Sequence, residues 1–197
     1  MSIMGSGGGG QSEAQVDARV VAVASGIQTE QFRPLDWRVS STEATRGYAG
    51  PAAATAYLDT IETTGSGTGY HWVQMPWQFP QKWDGGQIRF RMLWGPSTTN
   101  TGDIIFGLLF TAVNEGDPFG TITLSNNGPT TTDTALGTVD DFQRTPWSAW
   151  TSIDAPGNLG YVMRLQGNAS SGSYTFTGTV KQMLVEMQWQ SSAPTDD

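Results

Sequence analysis

One histidine, His71, stands in the chain, beside Trp72 in a strand-like run. A Ser–His–Asp triad would have to use it. No Gly-x-Ser-x-Gly elbow accompanies it, so a strand histidine with an ordinary hydrogen-bond partner is the simpler expectation. Glycoside cleavage would need two carboxylates at a set separation across a groove. Asp59, Glu62, Asp103, Asp140, Asp141 and Glu186 are available. Glu186 lies on an alternating run and reads as its solvent face. Asn114–Glu115–Gly116–Asp117 and Asp140–Asp141 look like calcium-loop fragments, but neither has the EF-hand spacing. Turn chemistry accounts for both. The glycine-rich run at 65–69 lacks the lysine and the strand–loop–helix setting of a phosphate loop. These residues predict no catalytic group, no metal site and no cofactor.

The aromatics are the remaining chemistry. Trp77, Phe79 and Trp83 lie in or beside a proline-containing loop, and Trp147 and Trp150 flank a strand start. Exposed tryptophans on β loops stack on sugar rings or anchor interfaces. The alternative is that they plug the ends of a sandwich, which the usual burial of large aromatics favours.

Positioning these residues falls to a β framework. The stretch 70–113 holds Trp72, Trp77, Trp83 and Trp94, half of the eight tryptophans. From Gln87 the residues alternate: Ile88, Phe90, Met92 and Trp94 on one face, Gln87, Arg89 and Arg91 on the other. That is the period of a strand with one buried face. From Ile104 to Val113 both faces are largely apolar, as in a central strand. Prolines 76 and 80 argue against central ladder between 76 and 80. Further strands are expected at 35–39, 57–63, 120–124, 134–139, 148–153, 159–165 and 178–189. In the last two, Leu159, Tyr161, Met163 and Leu165, then Met183, Val185, Met187 and Trp189, point inward. Residues 125–135, rich in Asn, Gly, Pro and Thr, read as an exposed loop. Eight to ten strands without an internal repeat predict an all-β, two-sheet β-sandwich of jelly-roll type.

The N-terminal part differs. Residues 1–10 read as a Gly-rich arm. Residues 12–25 form the one helix candidate, with Ser12 and Gln15 at capping-box spacing and Gly26 at the C-terminal cap. Val16, Val20, Val23 and Ile27 recur on one helical stripe. A helix of this length is marginal alone, and its valines weaken it further, so it needs a surface to pack on. The expected division is an arm and anchoring helix at 1–28, a sandwich at 29–190 and a polar tail at 191–197.

Composition bounds the partners. Of 197 residues, 37% are hydrophobic, enough for a substantial core. Only 14% are charged, with Thr, Ser, Gly and Gln in their place. That surface suits a particle-bound or extracellular β protein. Net charge is −8, and no basic cluster exists in the sequence, so neither nucleic acid nor an anionic membrane is an expected partner. No cysteine is present, which removes disulfides, thiolate metal sites and cysteine nucleophiles. Residues 1–10 have neither the basic nor the apolar region of a signal peptide, and no run is long enough to span a bilayer.

Several residues also carry a resemblance. A tryptophan before a strand end, a proline-flanked loop, Trp83–Asp84–Gly85–Gly86, the alternating strand ending in Trp94, residues 102–109 and the Asn114–Glu115–Gly116–Asp117–Pro118 turn together resemble tailed-bacteriophage virion β-sandwich proteins. The run AQVDARVVA at 14–22 resembles the short helices that precede such domains. The resemblance covers 70–125 and, more loosely, 12–40, and no motif in it is catalytic. It implies a non-enzymatic virion structural protein at the particle surface, a homo-oligomer that trimerises around a helical base, mounted on other virion proteins by its N-terminal arm. A capsid head fibre or decoration protein fits the length better than a long tail fibre. The alternatives are a tail-tip receptor-binding module, in which Trp77, Phe79, Trp83, Trp147 and Trp150 contact host glycan, and a carbohydrate-active depolymerase.

Overall fold

The computed structural model describes residues 26–39, 44–49, 58–64, 71–78, 80, 83–117, 127–154, 159–167 and 175–191. The strands are β1 (Gly26–Phe32), β2 (Arg38–Val39), β3 (Ala44–Ala49), β4 (Leu58–Thr64), β5 (His71–Trp77) and β6 (Trp83–Pro96) in the first half. The second half adds β7 (Asp103–Ala112), β8 (Thr130–Thr134), β9 (Gln143–Arg144), β10 (Thr151–Ser152), β11 (Tyr161–Gly167) and β12 (Thr179–Ser191). They form two antiparallel sheets, which makes the fold an all-β sandwich. The first runs β10-β6-β12-β4-β3, with β1 beside β12 and β9 beside β6; the second runs β2-β5-β11-β7-β8.

The alternation on β6 sets the inner face. Ile88, Phe90, Met92 and Trp94 are fully buried, while Arg89 and Arg91 sit on the opposite face, half-buried. Opposite them, β7 sends in Ile104, Phe106, Leu108 and Phe110. Two aromatic groups bridge the sheets. Trp94 meets Phe106 at 5.3 Å and Phe176 at 6.2 Å. Further along β7, Phe110 meets Trp77 at 5.8 Å and Tyr161 at 5.9 Å, and Phe32 joins Trp77 to Trp37. Edge contacts of this kind add about 0.5–1.5 kcal/mol each beyond burial.

Several local expectations need correction. The run at 35–39 is split: Pro34–Asp36 forms a 3-10 turn closed by Trp37 N–H on the Pro34 carbonyl, and only Arg38–Val39 is strand. Proline fixes the backbone angle that starts such a turn. Pro76 and Trp77 lie within β5 after all. Among the described residues β2 runs beside β5 only at Val73 and Gln74, so no described strand bonds β5 on that side at Pro76. The Thr-rich run expected as loop contains β8, with Thr131 buried, because β-branched threonine suits a pleated surface. The strand expected at 134–139 is instead a turn after residue 134, with Asp140 at φ 63°. Only Thr151–Ser152 of 148–153 is strand. Leu159 is exposed and precedes β11, whereas Tyr161, Met163 and Leu165 are buried as expected.

β12 holds one further departure. Its register slips between Gln182, opposite Trp94, and Leu184, opposite Leu93. Met183 is the extra residue of that bulge. It is buried but stands outside the main core cluster, and Gln182 is the residue buried opposite Trp94. Val185, Met187 and Trp189 resume the inner face. The helix expected at 12–25 and the strand expected at 120–124 lie outside the described residues.

Candidate functional site

The outward residues of the first sheet converge on one side. Register places Arg89 opposite Gln188 and Arg91 opposite Glu186, and on the far side of β12 places Thr29 opposite Gln188 and Gln31 opposite Glu186. Two polar rows therefore cross three strands. In one, Arg89 Nε donates to Gln188 Oε1 at 2.9 Å, and Gln188 Nε2 donates to Thr29 Oγ1 at 3.2 Å. In the other, Arg91 Nε donates to Glu186 Oε2, while Gln31 Nε2 reaches Glu186 Oε1 at 3.3 Å. Arg144 of β9 brings Nη2 to 3.8 Å from Glu186 Oε1, an ion contact too long for a hydrogen bond.

The segment between β9 and β10 crosses over the arginine end of these rows. It is tied to β6 from beneath. Ser148 Oγ accepts from Phe90 N–H, and Thr145 Oγ1 accepts from Met92 N–H, both at 3.0 Å. The reverse backbone bonds, Thr145 N–H to Met92 O and Ser148 N–H to Phe90 O, close the same pairs. The lashing holds Trp147 and Trp150 against the guanidinium groups. Arg91 lies 4.5 Å from the Trp147 ring, Arg89 lies 4.9 Å from it, and Arg89 lies 4.6 Å from the Trp150 ring. The contacts run Arg91, Trp147, Arg89, Trp150. Each is worth about 0.5–1 kcal/mol at a partly exposed site.

The candidate residues separate on this geometry. Trp147 and Trp150 are half-buried and lie on the outer face, not at a sandwich end. Trp77 is a core residue, and its Nε1 donates to Glu30 Oε2 at 3.0 Å. Burial raises the Glu30 carboxyl above its usual range, and the Trp77 hydrogen bond offsets part of that rise. Trp83 opens β6 and packs half-buried against the core. Phe79, Val16, Val20 and Val23 lie outside the described residues. Ile27 is not on a helical stripe. It is the second residue of β1, opposite Gln190, and 53% exposed. β1 thus draws residues 26–28 into the sandwich.

The remaining candidates form no second constellation among the described residues. His71 is the first residue of β5, and Asp59 and Glu62 lie on β4. Asp117 Oδ2 accepts from Asn114 N–H at 2.6 Å, and Asp117 N–H returns to Asn114 O, the bonding of a tight turn. Asp140 accepts from Lys181 Nζ at 2.6 Å. Asp103 accepts from Thr134 Oγ1. Tyr161 donates to the Asp154 carbonyl, and burial with the nearby Asp154 carboxylate raises its phenol pKa. Sequence reasoning missed Arg89, Arg91, Arg144, Gln31, Thr29 and Gln188 as site residues. The alternation did put the two β6 arginines outward, but nothing in the sequence pairs β6 with β12 or lays 145–150 across both.

No family model and no curated protein matches the chain. Among solved structures it is similar to the C-terminal CBM6 of LamC, a marine laminarinase from Zobellia galactanivorans, at 11% identity and a TM-score of 0.44 over 81% of this chain and 98% of that one. It is similar to CsCBM6-3 from Clostridium stercorarium, solved with cellobiose, at 15% identity and 0.43 over 83% and 93%. A protein of unknown function from Shewanella oneidensis matches 98% of this chain and 100% of its own length at 10% identity and 0.34. The two-sheet fold rests on this chain's own strand pairing rather than on these likenesses.

Proposed function

We propose that the protein is a non-enzymatic recognition head whose outer sheet face, around Arg89, Arg91, Trp147 and Trp150, binds glycan. The observation that carries this is the run of alternating, half-buried guanidinium and indole groups beside a row of amide and carboxylate side chains on the outer face of the first sheet. Sugars present hydroxyls that both donate and accept, above flat apolar ring faces. Planar Arg, Gln and Glu groups match the hydroxyls, and indoles match the ring faces. A depolymerase would need two carboxylates facing each other across a groove. Glu186, already paired with Arg91, is the carboxylate this face supplies among the described residues. The test is a glycan array probed with the full chain: binding that Trp150→Ala weakens supports the reading, and no binding to any glycan ends it.

The setting we propose is a virion surface, with the N-terminal residues as the mounting arm and a head-fibre or decoration role favoured over a tail tip. The resemblance at 70–125 supports it. So does Ile27, an apolar residue left exposed where the arm enters the sandwich. The oligomer proposed is a trimer. We also propose jelly-roll connectivity. The order β4-β12-β6-β10 in one sheet and β5-β11-β7-β8 in the other supports it, since consecutive strands β4 to β7 alternate between sheets.

A further inference from the structure

We propose that the ligand of this face is an anionic glycan, one bearing carboxylate or sulfate groups. The inference rests on the glycan reading above and adds the ligand's charge. Arg89 and Arg91 each use only the Nε–H on a protein acceptor, Gln188 and Glu186 respectively. Their Nη groups make no hydrogen bond to the described residues, and neither does Arg144. The stems are fixed by the rings and the Nε bonds, so the free ends of two guanidinium forks are held in place before any ligand arrives. A fork of that shape pairs two N–H groups with two oxygens of a carboxylate or sulfate.

Charge points the same way. The patch around the two tryptophans carries three arginines, Arg89, Arg91 and Arg144, against one carboxylate among the described residues, Glu186, an excess of two positive charges, while further along the same face Lys181 is balanced by Asp140. The whole chain carries −8. A cationic face on an acidic protein is not explained by overall composition. A neutral glycan would cover these charges without compensating them, at a desolvation cost. An anionic one would neutralise them and be steered to this face while being repelled elsewhere.

The test is affinity electrophoresis of the full chain through gels holding a polyuronate, a sulfated galactan, a neutral galactan or polyaspartate. The expected result is retardation by one or both anionic polysaccharides, about tenfold tighter than by the neutral one. Comparing the polyuronate and sulfated gels decides which anion is preferred. Raising salt from about 50 to about 500 mM should weaken that binding several-fold. Arg144→Gln should weaken it several-fold while leaving the urea midpoint unchanged, since Arg144 is 46% exposed at its side chain. Trp150→Ala should weaken binding to the polysaccharides and not to polyaspartate. Equal or better binding to the neutral galactan overturns the anionic inference and leaves the glycan reading standing. Binding to polyaspartate as tight as to the polysaccharides overturns both, and binding to none of the four overturns the anionic inference and leaves the glycan reading to the array.

Discussion

Glu186 is the residue on which the outer face is hung. Its side chain is 10% exposed and serves Arg91, Arg144 and Gln31 from β6, β9 and β1 at once. Glutamine there keeps one acceptor oxygen but removes the charge facing Arg91 and Arg144 and sets an amide NH2 against donors of Arg91, Arg144 or Gln31. Glu186→Gln should therefore cost about 1–3 kcal/mol of unfolding free energy, read from urea denaturation at neutral pH. Glu30 makes the opposite kind of prediction. Its folded pKa lies above the unfolded value of 4.5, so the unfolded chain releases the proton first as pH rises. Stability should fall as pH climbs from 4.5 through the raised folded value, then level off. Glu30→Gln keeps an acceptor for Trp77 Nε1 and has no charge to desolvate. Its urea midpoint should gain on that of the parent chain over this window. Parallel curves would show that Glu30 is ionised in the fold at no cost.

At the scale of elements, close backbone approach decides which positions tolerate change. A Cβ on Gly128 would sit 2.0 Å from the Leu108 carbonyl oxygen and 2.9 Å from Leu109 Cα, both backbone atoms of β7. The flanking hydrogen bonds, Leu108 N–H to Pro129 O and Phe110 N–H to Asn127 O, fix the spacing. Gly128→Ala must push this segment off β7 and should cost about 1–3 kcal/mol or more. Gly107, within β7 itself, is the control. Its added Cβ would meet nothing nearer than 3.7 Å. Gly107→Ala should change the denaturation midpoint by less than about 1 kcal/mol. Both glycines look alike in sequence, and only the neighbour across the ladder separates them.

For the whole molecule, recognition and mounting are separable on the proposed reading. The first described strand begins at Gly26, and the described strands supply a continuous core of their own. Val20→Asp should leave the sandwich's denaturation curve unchanged while removing the chain from assembled particles, measured by mass spectrometry of purified virions. Normal incorporation of that variant would sink the mounting role. The same variant should retain glycan retardation, because the outer face lies on β6, β12, β1 and the 145–150 segment.

Alternation made the faces of the regular strands legible in the sequence, though not at Leu159, which was expected inward and is exposed. Ile88, Phe90, Met92 and Trp94 were legible as core, and Arg89 and Arg91 as outward, because alternation is a local property that burial of one face imposes. Tyr161, Met163 and Leu165 followed by the same rule. Where a bulge intervened the rule failed: Met183 had the right spacing for the inner face, yet the extra residue put Gln182 there instead. Pairing is not local, so the sequence could not show β6 beside β12 or Glu186 beside Arg91, residues 95 positions apart. Nor could it divide the tryptophans. Trp77 and Trp147 both follow a proline, but one packs between the sheets and the other lies across an arginine ladder. That difference comes from which sheet face the chain crosses after the proline, and tertiary structure alone decides it.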